Sequence, residues 1–264
     1  LMLNLPGSTP RKDFAMFKKL YSDPRWRPDM IKIYPCVVTK NSGLYKLWRA
    51  KKYKPYSGKQ LIDLLIKIKK ITPPFVRIAR LIRDIPEGSI IAGNKITNLR
   101  QLIQERAQKE GWHCKCIRCR EAGHHDSLKF KVKSLKLKKL KYYANKGIEY
   151  FLSYESKNGK ILYAFLRLRL NNRPENNFME ELKGAAIIRE LHTYGQLALI
   201  GEKGEVQHLG LGKKLLKTAE KICRKNRLKK IAVISGIGVR KYYEKFGYRL
   251  KGSYMIKNLS SKNN

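Results

Sequence analysis

The stretch Gln207-His208-Leu209-Gly210-Leu211-Gly212 carries the strongest indication of fold in this chain. It is a Gln-x-x-Gly-x-Gly loop that stands directly before a predicted amphipathic helix, with Leu215 and Ala219 on the apolar face and lysines on the other. Glycines let a ligand come close to the backbone, and the first N–H groups of a helix have no partner within the helix. We therefore expect this loop to bind a pyrophosphate.

The elements around the loop are predicted to follow the order strand, loop, helix, strand, helix. A strand over residues 186–195 precedes the loop, the first helix ends near Asn226, and a strand over residues 230–235 leads into a helix over residues 239–248. This order, with the stretch Tyr243-Glu244-Lys245-Phe246-Gly247-Tyr248, resembles the core of GNAT acetyltransferases, whose glycine loop holds the pyrophosphate of acetyl-CoA. The alternative is a dinucleotide-binding fold, but its third glycine and its acidic residue about 20 positions later are both missing.

The net charge is extreme for a chain of 264 residues. Lys and Arg number 59 against 20 Asp and Glu, which gives +39, spread from end to end. Such a field attracts polyanions and indicates a nucleic-acid partner. A lysine-rich thermophilic bias is the alternative, but that bias normally balances Lys with Glu. No run of about 18 apolar residues or signal peptide occurs, so we expect a cytoplasmic protein without membrane association.

Three of the five cysteines form the C-x-C-x-x-C run Cys114-Lys115-Cys116-Ile117-Arg118-Cys119. We expect Cys114, Cys116 and Cys119 to bind a structural zinc ion, with His124 as the fourth ligand. His125, a carboxylate or water remain alternatives for that position, and His113 lies too close to Cys114. Unliganded thiols or an iron–sulfur cluster are the other interpretations. Cys36 and Cys223 are predicted to be small buried apolar residues.

Alternating helices and strands over residues 1–90 predict the end of an α/β barrel or an open sheet. The first helix is expected from Pro10 to about residue 20, with Thr9 as N-cap, and Asn98 and Gln101 are expected to form a capping box for a later helix. From residue 127 the hydrophobic pattern alternates as in an antiparallel meander. The predicted segments are a barrel part (1–95), a helix with the cysteine linker (96–126), a GNAT-like domain (127–259) and a disordered tail (260–264).

Taken together, the chain resembles the C-terminal two-thirds of the catalytic subunit of Elongator, in its archaeal single-protein form. The resemblance extends from residue 4 to residue 257 and is carried by stretches such as Asn4-Leu5-Pro6-Gly7-Ser8-Thr9, Arg27-Pro28-Asp29-Met30-Ile31-Lys32-Ile33-Tyr34-Pro35, Tyr53-Lys54-Pro55-Tyr56, Cys116-Ile117-Arg118-Cys119-Arg120-Glu121, Glu190-Leu191-His192 and Ile231-Ala232-Val233-Ile234-Ser235-Gly236. It implies an α/β fold in which the remnant of a radical-SAM partial TIM barrel is joined by a zinc-binding linker to a GNAT-type acetyltransferase domain.

The family uses acetyl-CoA to place a carboxymethyl-type group on carbon 5 of the wobble uridine, position 34, of tRNA. Its N-terminal barrel half, which holds a [4Fe-4S] cluster and most contacts to S-adenosylmethionine, has no counterpart here. The chain also opens abruptly, as if within a strand, which suggests a fragment. We expect that this chain alone does not generate a radical.

The resemblance also implies roles for single residues. Gly210, Leu211, Gly212 and Lys213 would hold the pyrophosphate through backbone N–H groups. The strand residues Glu190, Leu191, His192 and Thr193 would pair with the pantetheine amides. Tyr243 would protonate the leaving thiolate, while Tyr242 is expected to pack. Glu190 could act as a general base if an amine were the acceptor, and His192 could be a core histidine or a ligand contact.

Basic residues of the barrel part and linker are the candidates for tRNA binding. They are Lys51, Lys52, Lys54, Arg77, Arg80, Arg83, Arg100, Arg118 and Arg120, with Tyr53 and Tyr56 placed to stack on unpaired bases. Two other functions remain open at this point: a protein lysine acetyltransferase of the histone type, which the positive charge disfavours because basic substrates would be repelled, and a non-enzymatic RNA-binding module. The oligomeric state is left open.

Overall fold

The computed structural model describes residues 1–82, 85–124, 135–194 and 210–259. Within it the chain forms two compact units, residues 1–120 and 121–264. Several predictions fall outside the described residues: Arg83, His125, the first half of the glycine loop, the alternating pattern directly after residue 127, and the tail 260–264. The cysteine run, predicted to lie in a separate linker, belongs to the first unit.

In its described residues, the first unit combines short strands with five α-helices. The strands are β1 (Met2–Leu3), β2 (Met30–Lys32), β3 (Tyr34–Pro35), β4 (Val37–Val38), β5 (Arg77–Arg80) and β6 (Ala92–Gly93), and the helices are α1 (Pro10–Ser22), α2 (Gly43–Arg49), α3 (Gly58–Ile71), α4 (Leu99–Lys109) and α5 (Ile117–Arg120). β1 pairs with β3 and β2 with β5 in parallel, as expected for a barrel remnant, whereas β4 and β6 pair antiparallel.

The helix starts show which cap predictions hold. The Thr9 hydroxyl accepts a hydrogen bond from the backbone N–H of Lys12 at 3.2 Å, so the predicted N-cap of α1 is confirmed. The predicted capping box of α4 is wrong. Asn98 makes no side-chain cap hydrogen bond and has φ −99° and ψ 30°, outside the extended region from which a cap side chain reaches the first turn. A capping box that was not predicted occurs instead at α3, between Ser57 and Gln60.

The second unit is built on one seven-stranded sheet. Its elements are β7 (Lys136–Ala144), β8 (Gly147–Glu155), β9 (Leu162–Asn171), β10 (Ala185–Thr193), α6 (Leu211–Lys225), β11 (Lys230–Ile234), α7 (Arg240–Glu244), β12 (Arg249–Lys251) and β13 (Tyr254–Asn258). The strand order is β12-β13-β11-β10-β9-β8-β7. Strands β7 to β10 form the predicted antiparallel meander, and β10 pairs with β11 in parallel across helix α6.

Helix α6 covers one face of this sheet. Its apolar stripe is fully buried and packs on the side chains of the central strands; the stripe consists of Leu211, Leu215, Leu216, Ala219 and Cys223. Burying a large aliphatic side chain stabilises a fold by roughly 1.5–3 kcal/mol, so this helix is strongly held to the sheet. Cys36 and Cys223 are both buried, as predicted. Among the described residues, no helix has the length and apolar character needed to span a bilayer.

Candidate functional site

Strands β10 and β11 separate halfway along β10. Residues 185–188 pair with residues 230–233, but a bulge at Arg189 follows, and residues 190–193 pair only with β9. The backbone of residues 190–193 therefore has no strand partner on its β11 side among the described residues. A bulge re-aims a strand and ends its pairing, so the open edge is a direct consequence of this irregularity. It is the segment predicted to meet the amides of an extended ligand.

Helix α6 begins beside this part of the sheet without a side-chain cap. Gly210 is its N-cap and has φ +60°, a left-handed conformation that glycine adopts without strain. The N–H groups of the first helical turn have no acceptor within the helix and are available to an anion. Lys213 and Lys214 in the same turn are exposed and add positive charge.

Two neighbouring tyrosines of α7 have different environments from those expected. Tyr243 is buried, only 5% exposed, in the core beneath α6, whereas Tyr242 is 37% exposed. The expectation that Tyr242 is the packing residue is therefore wrong. The Tyr242 hydroxyl lies against Gly212, where any Cβ would collide with it. Burial, with a smaller contribution from Tyr242, raises the pKa of Tyr243 to about 12, so its phenol stays protonated at neutral pH.

Glu190 is the centre of an ion-pair group on the opposite face of the sheet from α6. Its carboxylate accepts a hydrogen bond from Nε of Arg167 at 2.6 Å, and its other oxygen lies 3.1 Å from Nε2 of His192. The guanidinium of Arg167 lies over the stacked rings of Phe151 and Phe165. Burial opposes ionisation, but His192 and Arg167 outweigh it and lower the pKa of Glu190 to about 2. A carboxylate held in this way is a weak base, which disfavours the general-base role considered for it.

The three clustered cysteines converge in the first unit. The sulfur atoms of Cys114, Cys116 and Cys119 all lie within 4.8 Å of one another. The Lys69 ammonium donates to Sγ of Cys119 at 3.2 Å, and a guanidinium nitrogen of Arg100 lies 3.8 Å from the same sulfur. Hydrogen bonds from the other two thiols and the nearby Lys69 lower the pKa of Cys119.

This donor set fits a soft divalent metal ion. The thiols are buried or half-buried and free of disulfides, and Lys69 is only 2% exposed. A buried ammonium is unfavourable unless a negative charge compensates it, so its position at the thiols indicates that they carry negative charge. Burial tends to lower the pKa of Lys69, but the cysteines more than offset this and the pKa is raised. The side chain of His124, the predicted fourth ligand, is outside the described residues.

The structure separates the predicted RNA-binding residues into surface and internal ones. Lys51, Lys52 and Lys54 are exposed, as is Arg80, whereas Arg77 and Arg118 are partly buried. The assignment of Arg120 is wrong, because its side chain is buried and donates to the backbone oxygens of Lys115 and Pro74, both at 2.8 Å.

Three further members of the predicted RNA-binding group hold the first unit together. Arg100 donates to the backbone oxygen of Ile78 at 2.8 Å as well as approaching Cys119. The predicted stacking role of Tyr53 is wrong, since its ring is buried and its hydroxyl donates to Asn4 at 3.0 Å. Tyr56 is partly buried and donates to Asp13 at 2.9 Å.

Lys69 and Tyr242 were missed as candidate functional residues. Lys69 follows Leu61 and Leu65 at intervals of four residues, so it occupies the apolar stripe of a helix, and this position is a signal for a buried charge with a partner. No comparable signal distinguishes Tyr242 from Tyr243, because both lie in the short helix α7, whose five residues are too few to show a periodic apolar face.

Comparison with known proteins agrees with this geometry. A sequence profile described as "Radical_SAM C-terminal domain" matches residues 28–109, and one described as "Acetyltransferase (GNAT) domain" matches residues 141–260. The chain is 43% identical over 98% of its length to the "tRNA uridine(34) acetyltransferase" of Methanocaldococcus jannaschii, and 40% identical over 98% to "Elongator complex protein 3" of Danio rerio. The chain belongs to the family of the Elongator catalytic subunit.

A solved structure of this family has the same fold. The archaeal Methanocaldococcus infernus Elp3 with an N-terminal deletion superposes with a TM-score of 0.88 at 41% identity, over 98% of this chain and 62% of that chain. The chain spans about half the length of the curated relatives it matches, 49% in M. jannaschii and 48% in D. rerio. The α/β fold class, with a radical-SAM C-terminal part and a GNAT part, is thereby confirmed.

Proposed function

We propose that the second unit binds acetyl-CoA. The observation that carries this proposal is the combination of the open edge at residues 190–193 with the uncapped start of α6 at Gly210. The free backbone groups of β10 suit the pantetheine amides, and the first turn of α6 suits the pyrophosphate. The site residues are those predicted from the sequence, with the hydroxyl of Tyr242 added at Gly212.

We further propose that this chain takes part in acetyl-CoA-dependent modification of tRNA at carbon 5 of uridine 34. The relatives named tRNA uridine(34) acetyltransferase and the exposed lysines at positions 51, 52 and 54 support it. Tyr243, protonated at neutral pH, is the proposed acid for the leaving thiolate. The iron–sulfur cluster and S-adenosylmethionine of the family would supply radical chemistry, which is not assigned to residues of this chain. A tRNA substrate would place the activity in the cytoplasm.

Zinc is the proposed occupant of the cysteine cluster. Three soft thiolate donors at this spacing suit zinc, and with a neutral fourth ligand they leave one excess negative charge, which the Lys69 ammonium balances. The role of the ion would be structural, since the cluster joins α3, α4 and α5. One zinc per chain is therefore expected.

The proposed activity is tested by release of free CoA from acetyl-CoA with and without tRNA. Stimulation by tRNA supports the proposal, whereas transfer to lysine peptides without such stimulation would favour the histone-type alternative. Gly210→Glu is the matched binding variant: its φ of +60° strains any side chain, and a carboxylate there repels a pyrophosphate. Calorimetry that shows unchanged acetyl-CoA affinity in this variant would contradict the assigned site.

A further inference from the structure

The edge strand β7 carries a row of lysines that none of the roles above uses. The strand contains four lysines in nine residues, and the turns beside it add three more; the set is Lys136, Lys138, Lys139, Lys141, Lys146, Lys157 and Lys160. All seven side chains are exposed. β7 is the last strand of the sheet, so one side of its backbone has no strand partner in the part of the chain that the structure describes.

Within the described ranges, most of the lysines of this edge have no carboxylate partner. Lys138 pairs with Glu155 at 2.9 Å, and it is the one lysine of the seven with an ion pair among the described residues. Glu149, another carboxylate of β8, is buried and held by Arg169 at 2.9 Å and Arg189 at 3.0 Å. Unpaired like charges side by side repel one another, so this row destabilises the isolated fold slightly and favours a polyanionic partner.

The arrangement of side chains indicates which polyanion fits. Successive residues of a strand alternate between faces, so Lys139, Lys141 and Tyr143 share one face at intervals of about 6.8 Å. Tyr143 is 57% exposed. Regularly spaced ammonium groups next to an exposed aromatic ring suit a nucleic-acid strand, whose phosphates contact the lysines and whose unpaired bases stack on the ring.

Edge lysines also prevent pairing between sheets of different molecules. That role does not require lysines in the turns at both ends of β8, nor an exposed ring in line with them. The turn lysines extend the positive surface beyond the strand: the turn at Gly159 lies directly against the Lys138 ammonium. The surface is therefore continuous from Lys157 and Lys160 to β7.

We propose that β7 and its adjoining turns form a second RNA-binding surface, on the acetyltransferase unit, that contacts the phosphate backbone of tRNA. The inference rests on the proposed tRNA substrate and adds a binding surface outside the barrel part. Lys139 and Lys141 are the central contacts, and Tyr143 on the same face stacks on an unpaired base. Lys136 lies on the other face, at the start of the strand, and adds positive charge to the edge.

The test compares two triple charge reversals in the full chain. Lys136→Glu, Lys139→Glu and Lys141→Glu remove the edge charge, and Lys217→Glu, Lys221→Glu and Lys225→Glu make the same change on the exposed side of α6. The edge variant is expected to bind a tRNA transcript at least about tenfold more weakly and to shallow the slope of log affinity against log salt by about 2–3, the loss of three phosphate contacts. The α6 variant is expected to change the slope by less than about 1.

The outcomes separate this inference from the proposed function. Equal effects of the two triple variants would overturn it, because net charge alone would then explain binding. Unchanged tRNA binding by the edge variant would also overturn it, as expected if the edge serves an acidic protein instead. Failure of the unmodified chain to bind tRNA would contradict the proposed function as well. Unaltered melting and acetyl-CoA affinity verify the fold of each variant.

A second measurement tests the aromatic part. Tyr143→Ala is expected to weaken binding of a single-stranded RNA oligonucleotide by roughly 5–150-fold, which corresponds to about 1–3 kcal/mol per stacked base, while binding of a blunt RNA duplex stays unchanged. Equal loss for both RNAs would contradict the stacking role.

Discussion

The protonation states of Glu190 and Tyr243 are set by their immediate surroundings. In the sequence Glu190 is a candidate general base, but Arg167 and His192 keep its carboxylate ionised and contact both of its oxygens. Tyr243 is the reverse case, since burial keeps its proton in place. The carboxylate is thus suited to positioning and the phenol to donating a proton.

The ion pair predicts a pH dependence of stability. The pKa of Glu190 is lowered from 4.5 to about 2 in the folded state, so its contribution is complete above about pH 4.5 and is lost as the pH falls toward 2. A pKa change of this size is worth about 3–4 kcal/mol, and solvent screening of this partly exposed ion pair makes its contribution to stability smaller. Glu190→Gln should remove the contribution of this carboxylate to the pH dependence of stability. Between pH 5 and pH 2.5, the free energy of unfolding of the variant, measured by urea denaturation, should therefore fall less steeply than that of the unmodified chain. Parallel curves would contradict it.

The two tyrosines predict a separation of turnover from binding. Tyr243→Phe removes the proposed acid and should lower CoA release by about 10²–10⁴-fold with little change in acetyl-CoA affinity. Tyr242→Phe removes a hydroxyl beside Gly212 and should change acetyl-CoA affinity more than turnover. Steady-state kinetics and calorimetry on both variants decide this, and a loss of turnover confined to Tyr242→Phe would reverse the two roles.

At the scale of elements, the cysteine cluster depends on helix α3, which contributes no metal ligand. Its Lys69 places a positive charge where three thiols meet. Helix α4 is joined to strand β5 and to the cysteine segment by its Arg100, which approaches both the backbone oxygen of Ile78 and Sγ of Cys119. The proposed metal ion and two basic side chains would thus act on the same junction of secondary structure.

Replacing Lys69 should therefore weaken the metal site. Lys69→Met removes the balancing charge and is expected to lower zinc affinity, measured by competition with a chelator, by about 10–100-fold, the effect of losing an outer contact to a metal ligand. Lys67→Met, two residues away on the exposed side of the same helix, is the matched control and should leave affinity unchanged. Equal zinc content and affinity in all three proteins would contradict a role for Lys69 at the metal.

Much of the fold could be predicted from the apolar pattern, because α3 and α6 each bury a regular apolar face and β8 and β9 are largely buried apolar strands. The candidate site was predictable where chemistry follows from the local chain, as for the glycine at 210 and the three cysteines. The site was not predictable where contacts between residues distant along the chain determine whether a side chain is exposed or buried. Arg120 and Tyr53 look like surface RNA contacts in sequence, yet backbone oxygens distant along the chain satisfy both.

For the whole molecule, charge is the property with the widest effect. A net charge of +39 predicts that tRNA binding is dominated by phosphate contacts. If about 6–10 phosphates are neutralised, affinity should fall by about 10³–10⁵-fold between 50 and 200 mM salt. Lys51→Glu, Lys52→Glu and Lys54→Glu together should weaken binding to all tRNAs and leave acetyl-CoA affinity unaltered. A salt-independent affinity would show that these lysines are only solvated.

The strand arrangement of the second unit also predicts an order in which its parts fold. β7 and β8 are joined through Asn145 and Lys146, both with positive φ, as in the tight turns that favour rapid hairpin formation. The parallel contact of β10 with β11 instead requires closure of the long segment between residues 188 and 230. Such closure is slow and entropically unfavourable. The site between the open edge of β10 and the start of α6 is therefore expected to form last. If acetyl-CoA binds only the completed site, it would stabilise the fully folded unit and not a form in which only the meander has folded.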